Sequence, residues 1–138
     1  MLWEVVALVL TALAVVDIVL TRLRMASNNE GAARRLDLPT TTLVNVHTIA
    51  GGLAVVLWCV YLLAFRGWIL GLVALVLWWL TAGAGLLILA RWLPARGRHA
   101  SGPAGDSWSQ GPGLSILAHV GLVVGCVVWT VLYLLGAL

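Results

Sequence analysis

Residues 43–61 read LVNVHTIAGGLAVVLWCVY, an apolar run with a single ionisable side chain of note, His47. The run is close to the ~20 residues that a helix needs to cross a bilayer. A related run, ILAHVGLVVGCVVWTVLY, occupies residues 116–133. His47 and Tyr61 are fourteen residues apart, and so are His119 and Tyr133. Trp58 follows the first histidine by eleven residues and Trp129 follows the second by ten. Gly51 and Gly52 come soon after His47, and Gly121 and Gly125 after His119. A histidine inside a bilayer is costly unless it faces protein, a cofactor or a water-filled cavity. Two at matching positions therefore mark the place to look for function.

Working outward, the 138-residue chain is 62% hydrophobic and only 9% charged, against about 25% charged in an average soluble domain. Four apolar runs, near residues 3–22, 42–65, 67–91 and 114–137, are long enough to span a membrane. The expected fold is all-α: a single transmembrane four-helix up-down bundle covering residues 1–138. The first run carries Glu4, lacks a basic leader and exceeds the ~7–15 apolar residues of a signal peptide, so it reads as a span.

All eight basic residues are arginines. Arg22, Arg24, Arg34 and Arg35 fall in the first loop and Arg91, Arg96 and Arg98 in the third, whereas the second loop has only Arg66. By the positive-inside rule, loops 23–41 and 92–113 are cytoplasmic and both termini lie outside. Arginines crowded into loops speak to orientation in a bilayer and not to nucleic-acid binding. Cys59 and Cys126 have no CxxC or ligand spacing and read as small apolar residues.

In the first span, Asp17 is the one charged interior residue; it should face the bundle or water, or pair with Arg22 or Thr21. Pro39 before Thr40, Thr41 and Thr42 predicts the start of the second helix, with a threonine as its N-cap. From His47, steps of three and four pass through Ala50, Gly51, Ala54, Trp58 and Tyr61. That face is small beside the histidine and aromatic further on: a groove for a flat cofactor, or simply a close helix contact. Phe65-Arg66-Gly67-Trp68 predicts a tight turn and antiparallel neighbours. The third helix is expected to end at Arg91-Trp92-Leu93-Pro94, with Trp3, Trp68 and Trp92 at membrane interfaces and Trp78 and Trp79 within the span. Residues 92–113, rich in Gly, Pro and Ser, predict a flexible loop in which His99 is solvated. The fourth helix places His119, Leu122, Val123, Cys126, Thr130 and Tyr133 on one face. Ala7-Leu8-Val9-Leu10 recurs as Ala74-Leu75-Val76-Leu77, which with the histidine match suggests two tandem helix hairpins.

In an up-down bundle, helices two and four are diagonal and parallel, so the two histidines can converge at one depth. Two such imidazoles suit the axial positions of a haem iron. Ala50, Gly51, Gly83, Ala84, Gly85, Gly121 and Gly125 lie near that level to make room, and arginines at the adjacent face suit haem propionates.

On His47, His119, the nearby glycines and the fourteen-residue steps, the chain resembles four-helix membrane b-type cytochromes. The resemblance implies haem b ligated by His47 and His119, with Gly51, Gly121 and Gly125 lining it. It also implies electron exchange with a quinone or a redox partner protein. In the two-haem pattern of such proteins each of two helices carries a second histidine at about that step. Here Tyr61 and Tyr133 stand in those places, so one haem is expected and not two.

Two other readings use the same residues. Asp17 with His47 and His119 makes a two-histidine, one-carboxylate set for a non-haem metal or a proton relay, or Asp17 orients one imidazole. Alternatively the histidines only hydrogen-bond across the bundle of a structural accessory subunit. Gly121-xxx-Gly125 fits a helix contact within the bundle or in an oligomer. No nucleophile–base pair, phosphate loop or HExxH motif occurs, which leaves hydrolytic and phosphoryl chemistry without support.

Overall fold

A computed structural model describes residues 2–27, 38–97 and 113–138. They form four helices, α1 (Leu2–Ser27), α2 (Leu38–Leu63), α3 (Trp68–Gly97) and α4 (Gly113–Leu134), and no strand among the described residues. Each contains a segment long and apolar enough to cross a membrane: Leu2–Leu20, Thr42–Leu63, Trp68–Ala90 and Ser115–Leu134. This is the build of a multi-pass membrane protein. The side chains of Arg22, Arg24, Arg91 and Trp92, and the whole of Arg34, Arg35, Arg98 and His99, lie outside the described residues.

The helix ends differ from the sequence expectations. α2 starts at Leu38, so Thr40, Thr41 and Thr42 are inside the helix and none of them is its N-cap. Pro39 falls in the first turn, where a missing N–H removes no intrahelical bond. α3 runs on through Pro94 to Gly97. Near a helix end the proline gives up one backbone bond without ending the helix. The segment expected to be a loop from residue 92 is thus helical to Gly97, and residues 98–112 lie outside the described residues.

Helices that follow one another in sequence pack side by side, and α4 closes the ring against α1; α2 and α4 are therefore diagonal, as are α1 and α3. The tightest seam is α2 on α3. Lipid tails are as apolar as leucine, so this seam depends on close packing of small residues. A Cβ on Gly51 would stand 3.2 Å from Thr81 Cγ2, and Ala50, Ala54, Ala74, Ala82 and Ala84 are buried nearby. The turn between α2 and α3 is equally tight, for a Cβ on Gly67 would overlap the Phe65 ring. At the end of α4, Gly136 takes φ +64°; its N–H bonds Tyr133 O, and Ala137 N–H bonds Leu132 O. That is a Schellman cap, and it needs the glycine.

The middle of the bundle is filled by Trp58, Trp78 and Trp129, each nearly or wholly buried. Trp129 packs 4.8 Å from Trp78 and 5.7 Å from Trp58 between ring centroids. α1 is the least buried helix and is tied in by polar bonds. Trp58 Nε1 donates to Thr11 Oγ1 at 3.1 Å, Trp129 Nε1 to Ala7 O at 3.4 Å, and Arg66 Nη2 pairs with Glu4 Oε1 at 3.0 Å. Trp78 faces inward, whereas Trp79 is exposed and donates to Thr130 Oγ1. Trp3 and Trp68 are exposed, as interfacial tryptophans are. The hairpin repeat is visible in packing too: Ala7 and Ala74, matched in sequence, are both fully buried.

Candidate functional site

The repeat predicts that His47 lies level with His119 and Tyr61 with Tyr133, and across the bundle both pairs meet. His47 and His119 have ring centroids 5.9 Å apart, with planes 22° from parallel. Trp58 meets Trp129, and Tyr61 meets Tyr133 edge-on at 5.8 Å. Fourteen residues of helix rise ~21 Å, so histidines and tyrosines mark two tiers at opposite ends of the bundle.

At the histidine tier, each ring is held by its Nδ1. His47 Nδ1 lies 2.9 Å from the Thr81 carbonyl of α3, and His119 Nδ1 lies 2.6 Å from Ser115 O, one turn back in its own helix. A carbonyl only accepts, so Nδ1 carries a proton in both rings, and in a neutral imidazole that leaves the lone pair on Nε2. This is the tautomer that a metal-ligating imidazole adopts when its other nitrogen is anchored. Ser115 precedes His119 by one helical turn of α4, whereas the Thr81 carbonyl is brought to His47 by the packing of α2 on α3.

Between the two rings lies Gly85 of α3. A Cβ there would stand 2.6 Å from His119 Cδ2, 2.8 Å from His119 Nε2 and 2.9 Å from His47 Cε1. No real side chain fits those distances without moving a ring, so glycine at 85 is what lets both rings pack against the α3 backbone. The three glycines singled out for a cofactor are placed otherwise. Gly51 is spent on the α2–α3 seam against Thr81, which fills the groove expected on α2. Gly121 is exposed with nothing nearby, and Gly125 packs against Trp129 of its own helix. The signal that could have singled out Gly85 is its own fourteen-residue step from Gly71, discussed below.

Asp17 is half-buried on α1 and within electrostatic reach of His119 first and His47 second. It does not orient either ring through Nδ1, since both Nδ1 atoms bond carbonyls. Among the described residues no three His, Cys, Asp or Glu side chains come together as a metal set, so Asp17 does not complete a three-ligand site with the histidines. Cys59 and Cys126 are free thiols, Cys126 fully buried. Beside His119 a cleft of about 180 Å³ opens between α3 and α4, lined by Ile88, Leu89, Ser115 and His119. A tetrapyrrole is larger than this cleft, and the helices would have to part to take one. Compared with known proteins, the chain matches no family model, and no curated protein or solved structure is found to be similar, so the reading of the site rests on its own geometry.

Proposed function

We propose that the protein is a membrane b-type cytochrome that holds one haem b between His47 and His119 and serves as an electron carrier or redox subunit. The observation that carries this reading is the tier itself: two imidazoles 5.9 Å apart, each Nδ1 anchored on a carbonyl, with Gly85 beside both. The two rings stack face to face, so they would have to turn to present both Nε2 atoms to one iron from opposite sides. A haem needs only two protein ligands, so a two-residue donor set suffices where a bare metal ion calls for three or four. When bound, the iron would exchange single electrons with a quinone or a partner protein. Two histidine ligands leave it no open position for a substrate, which favours electron transfer over catalysis. The chain's part is to fix both tautomers and to bar side chains from the centre. It also holds the pair half-buried among the helices.

The arginine distribution, seven in the stretches from Arg22 to Arg35 and from Arg91 to Arg98 against Arg66 alone between α2 and α3, favours a cytoplasmic histidine tier with both termini outside. A reporter fused after Leu138 reads that orientation.

The test is spectroscopic. Protein produced with ample haem should show the sharp visible bands of a low-spin, six-coordinate, non-covalent haem when reduced. His47→Ala or His119→Ala should lose the haem or turn it high-spin, while His99→Ala leaves the spectrum unchanged. A colourless preparation, or a spectrum indifferent to both histidines, sinks the cytochrome reading. A second reading, a proton or ion relay, draws on the electrostatic reach of Asp17 to both histidines. It requires flux that depends on Asp17, and wild-type flux in Asp17→Asn removes it.

A further inference from the structure

Between the middle of the bundle and the tyrosine tier, five oxidisable rings follow one another in contact. Trp78 lies 4.8 Å from Trp129 between ring centroids, and Trp129 lies 5.7 Å from Trp58. Trp58 stacks on Tyr61 at 5.2 Å, and Tyr61 meets Tyr133 at 5.8 Å. Trp78 stands seven residues from Gly71 and seven from Gly85, so the series starts midway, ~10 Å along α3 from each tier. The three indoles are shut away from lipid and water, whereas Tyr133 is only half-buried, beside the exposed Trp68.

The protons are arranged to match. Trp58 Nε1 donates to the Thr11 hydroxyl, which itself donates to Ala7 O, and Trp129 Nε1 donates to that same carbonyl. Trp78 Nε1 has no hydrogen-bond partner among the described residues. Hydroxyl and carbonyl oxygens are weak bases, so an indole here that loses an electron keeps its N–H proton. A charge in that interior is costly, which drives it to the next ring. A phenol that loses an electron also sheds its proton, and Tyr133 can pass one to interfacial water. Neutral tyrosyl is a weaker oxidant than a protonated indole radical, so the order of rings runs downhill from Trp78 to Tyr133.

From this series we infer a second activity: the aromatic ladder carries oxidising equivalents out of the bundle, so that a one-electron oxidation in the membrane ends as a radical on Tyr133. The oxidant is of the lipid peroxyl radical class. Trp78 gives it one electron, and single electrons then move from Trp129, Trp58, Tyr61 and Tyr133 in turn to fill the vacancy. Tyr61 shifts its proton along its bond to Leu138 O and recovers it. Tyr133 loses its phenol proton to water, and the peroxyl anion takes one from water. The net change converts a peroxyl radical and a phenol into a hydroperoxide and a tyrosyl radical. A thiol or ascorbate at that interface returns a hydrogen atom to Tyr133. No haem takes part, so the ladder stands or falls apart from the cytochrome reading.

The test is flash photolysis of haem-free protein in liposomes. A ruthenium polypyridyl photo-oxidant is coupled to Gly83→Cys in a Cys59→Ala background; position 83 is on the histidine side of Trp78 and faces open space. Transient absorption should show a tyrosyl radical, replaced by a lasting tryptophan radical in the Tyr61→Phe, Tyr133→Phe double variant. Trp58→Phe keeps a ring in the core but removes one oxidisable step, and it should abolish the tyrosyl signal. Trp79→Phe, outside the ladder, should leave the signal unchanged. With a lipid-soluble azo initiator and ascorbate, mass spectrometry should find oxidised Trp78 and Trp129 in Trp58→Phe and not in the parent. Tyrosyl formation that ignores Trp58→Phe, or a parent in which no tyrosyl forms, overturns the ladder. Equal tryptophan oxidation in parent and variant overturns the peroxyl assignment.

Discussion

The histidine tier and the tyrosine tier are built on one scaffold and end in opposite chemistry. On α2 and α4 the step from one tier to the other is fourteen residues. On α3, which runs the other way, the glycines facing the two tiers, Gly85 and Gly71, are also fourteen apart. A Cβ on Gly71 would stand 2.6 Å from Tyr133 Cε2 and 2.8 Å from Tyr61 Cε2, just as one on Gly85 would strike both histidines. The difference lies in where the polar atoms go. Tyr133 O–H donates to Trp68 O at the start of α3, and Tyr61 O–H reaches Leu138 O at 3.4 Å. A phenol has one proton to donate, and each is spent on closing that end of the bundle. An imidazole has two nitrogens, and anchoring one leaves the lone pair of the other for a ligand. The same backbone geometry therefore holds histidines suited to the ligand role proposed above at one end and makes a seal with tyrosine at the other.

The sharpest way to break this comparison is to fill each glycine in turn. Gly85→Val should abolish haem uptake, because the valine takes the space beside both imidazoles. Gly71→Val should keep the haem spectrum and cost stability, about 1–3 kcal/mol for overpacking. Thermal unfolding followed by far-ultraviolet circular dichroism, run beside the visible spectrum, separates the two effects. Equal loss of haem in both variants would mean that the tiers are not independent.

A smaller effect is expected from the phenols. Tyr133→Phe removes one hydroxyl–carbonyl bond and should lower stability by about 1 kcal/mol, with no change in the haem bands. Tyr61→Phe should cost less, since its bond is long. A shifted haem spectrum in either variant would contradict the assignment of this tier as a seal.

The smallest change should come from Arg66→Gln. Its pair with Glu4 ties α1 to the turn beside the tyrosine tier, but both side chains are well exposed. Exposed pairs contribute little and are screened by salt. Unfolding curves of the variant and the parent should superimpose in high salt, and a persistent difference would show that α1 is held there more tightly than its packing suggests.

Much of this was legible from residue order. An apolar run of some twenty residues has few options other than a spanning helix, because backbone polar groups in lipid must bond within their own segment. Four such runs with short or polar links make an up-down bundle. The fourteen-residue step paired His47 with His119, and the buried face Ala50, Gly51, Ala54, Trp58 and Tyr61 followed from helical spacing. What spacing along one helix does not contain is its rotation against a neighbour. Gly51, Gly121 and Gly125 follow their histidines in sequence, yet the glycine beside both rings is Gly85, on a different helix. Likewise, α3 passes Pro94 because helix continuation depends on the few bonds lost against those kept.

The sequence by itself therefore determined four spans, two levels of matched side chains and the identity of the histidine pair. All of these follow from local periodicity and the bilayer's demand for satisfied backbone. Only the tertiary structure decided which side chains share each level. Thr81 anchors His47, Gly85 and not Gly51 takes both imidazoles against its backbone, and among the described residues Asp17 stays outside a three-ligand set. Those outcomes depend on how four helices turn and tilt to fit small residues against large ones, and that is a property of the packed bundle.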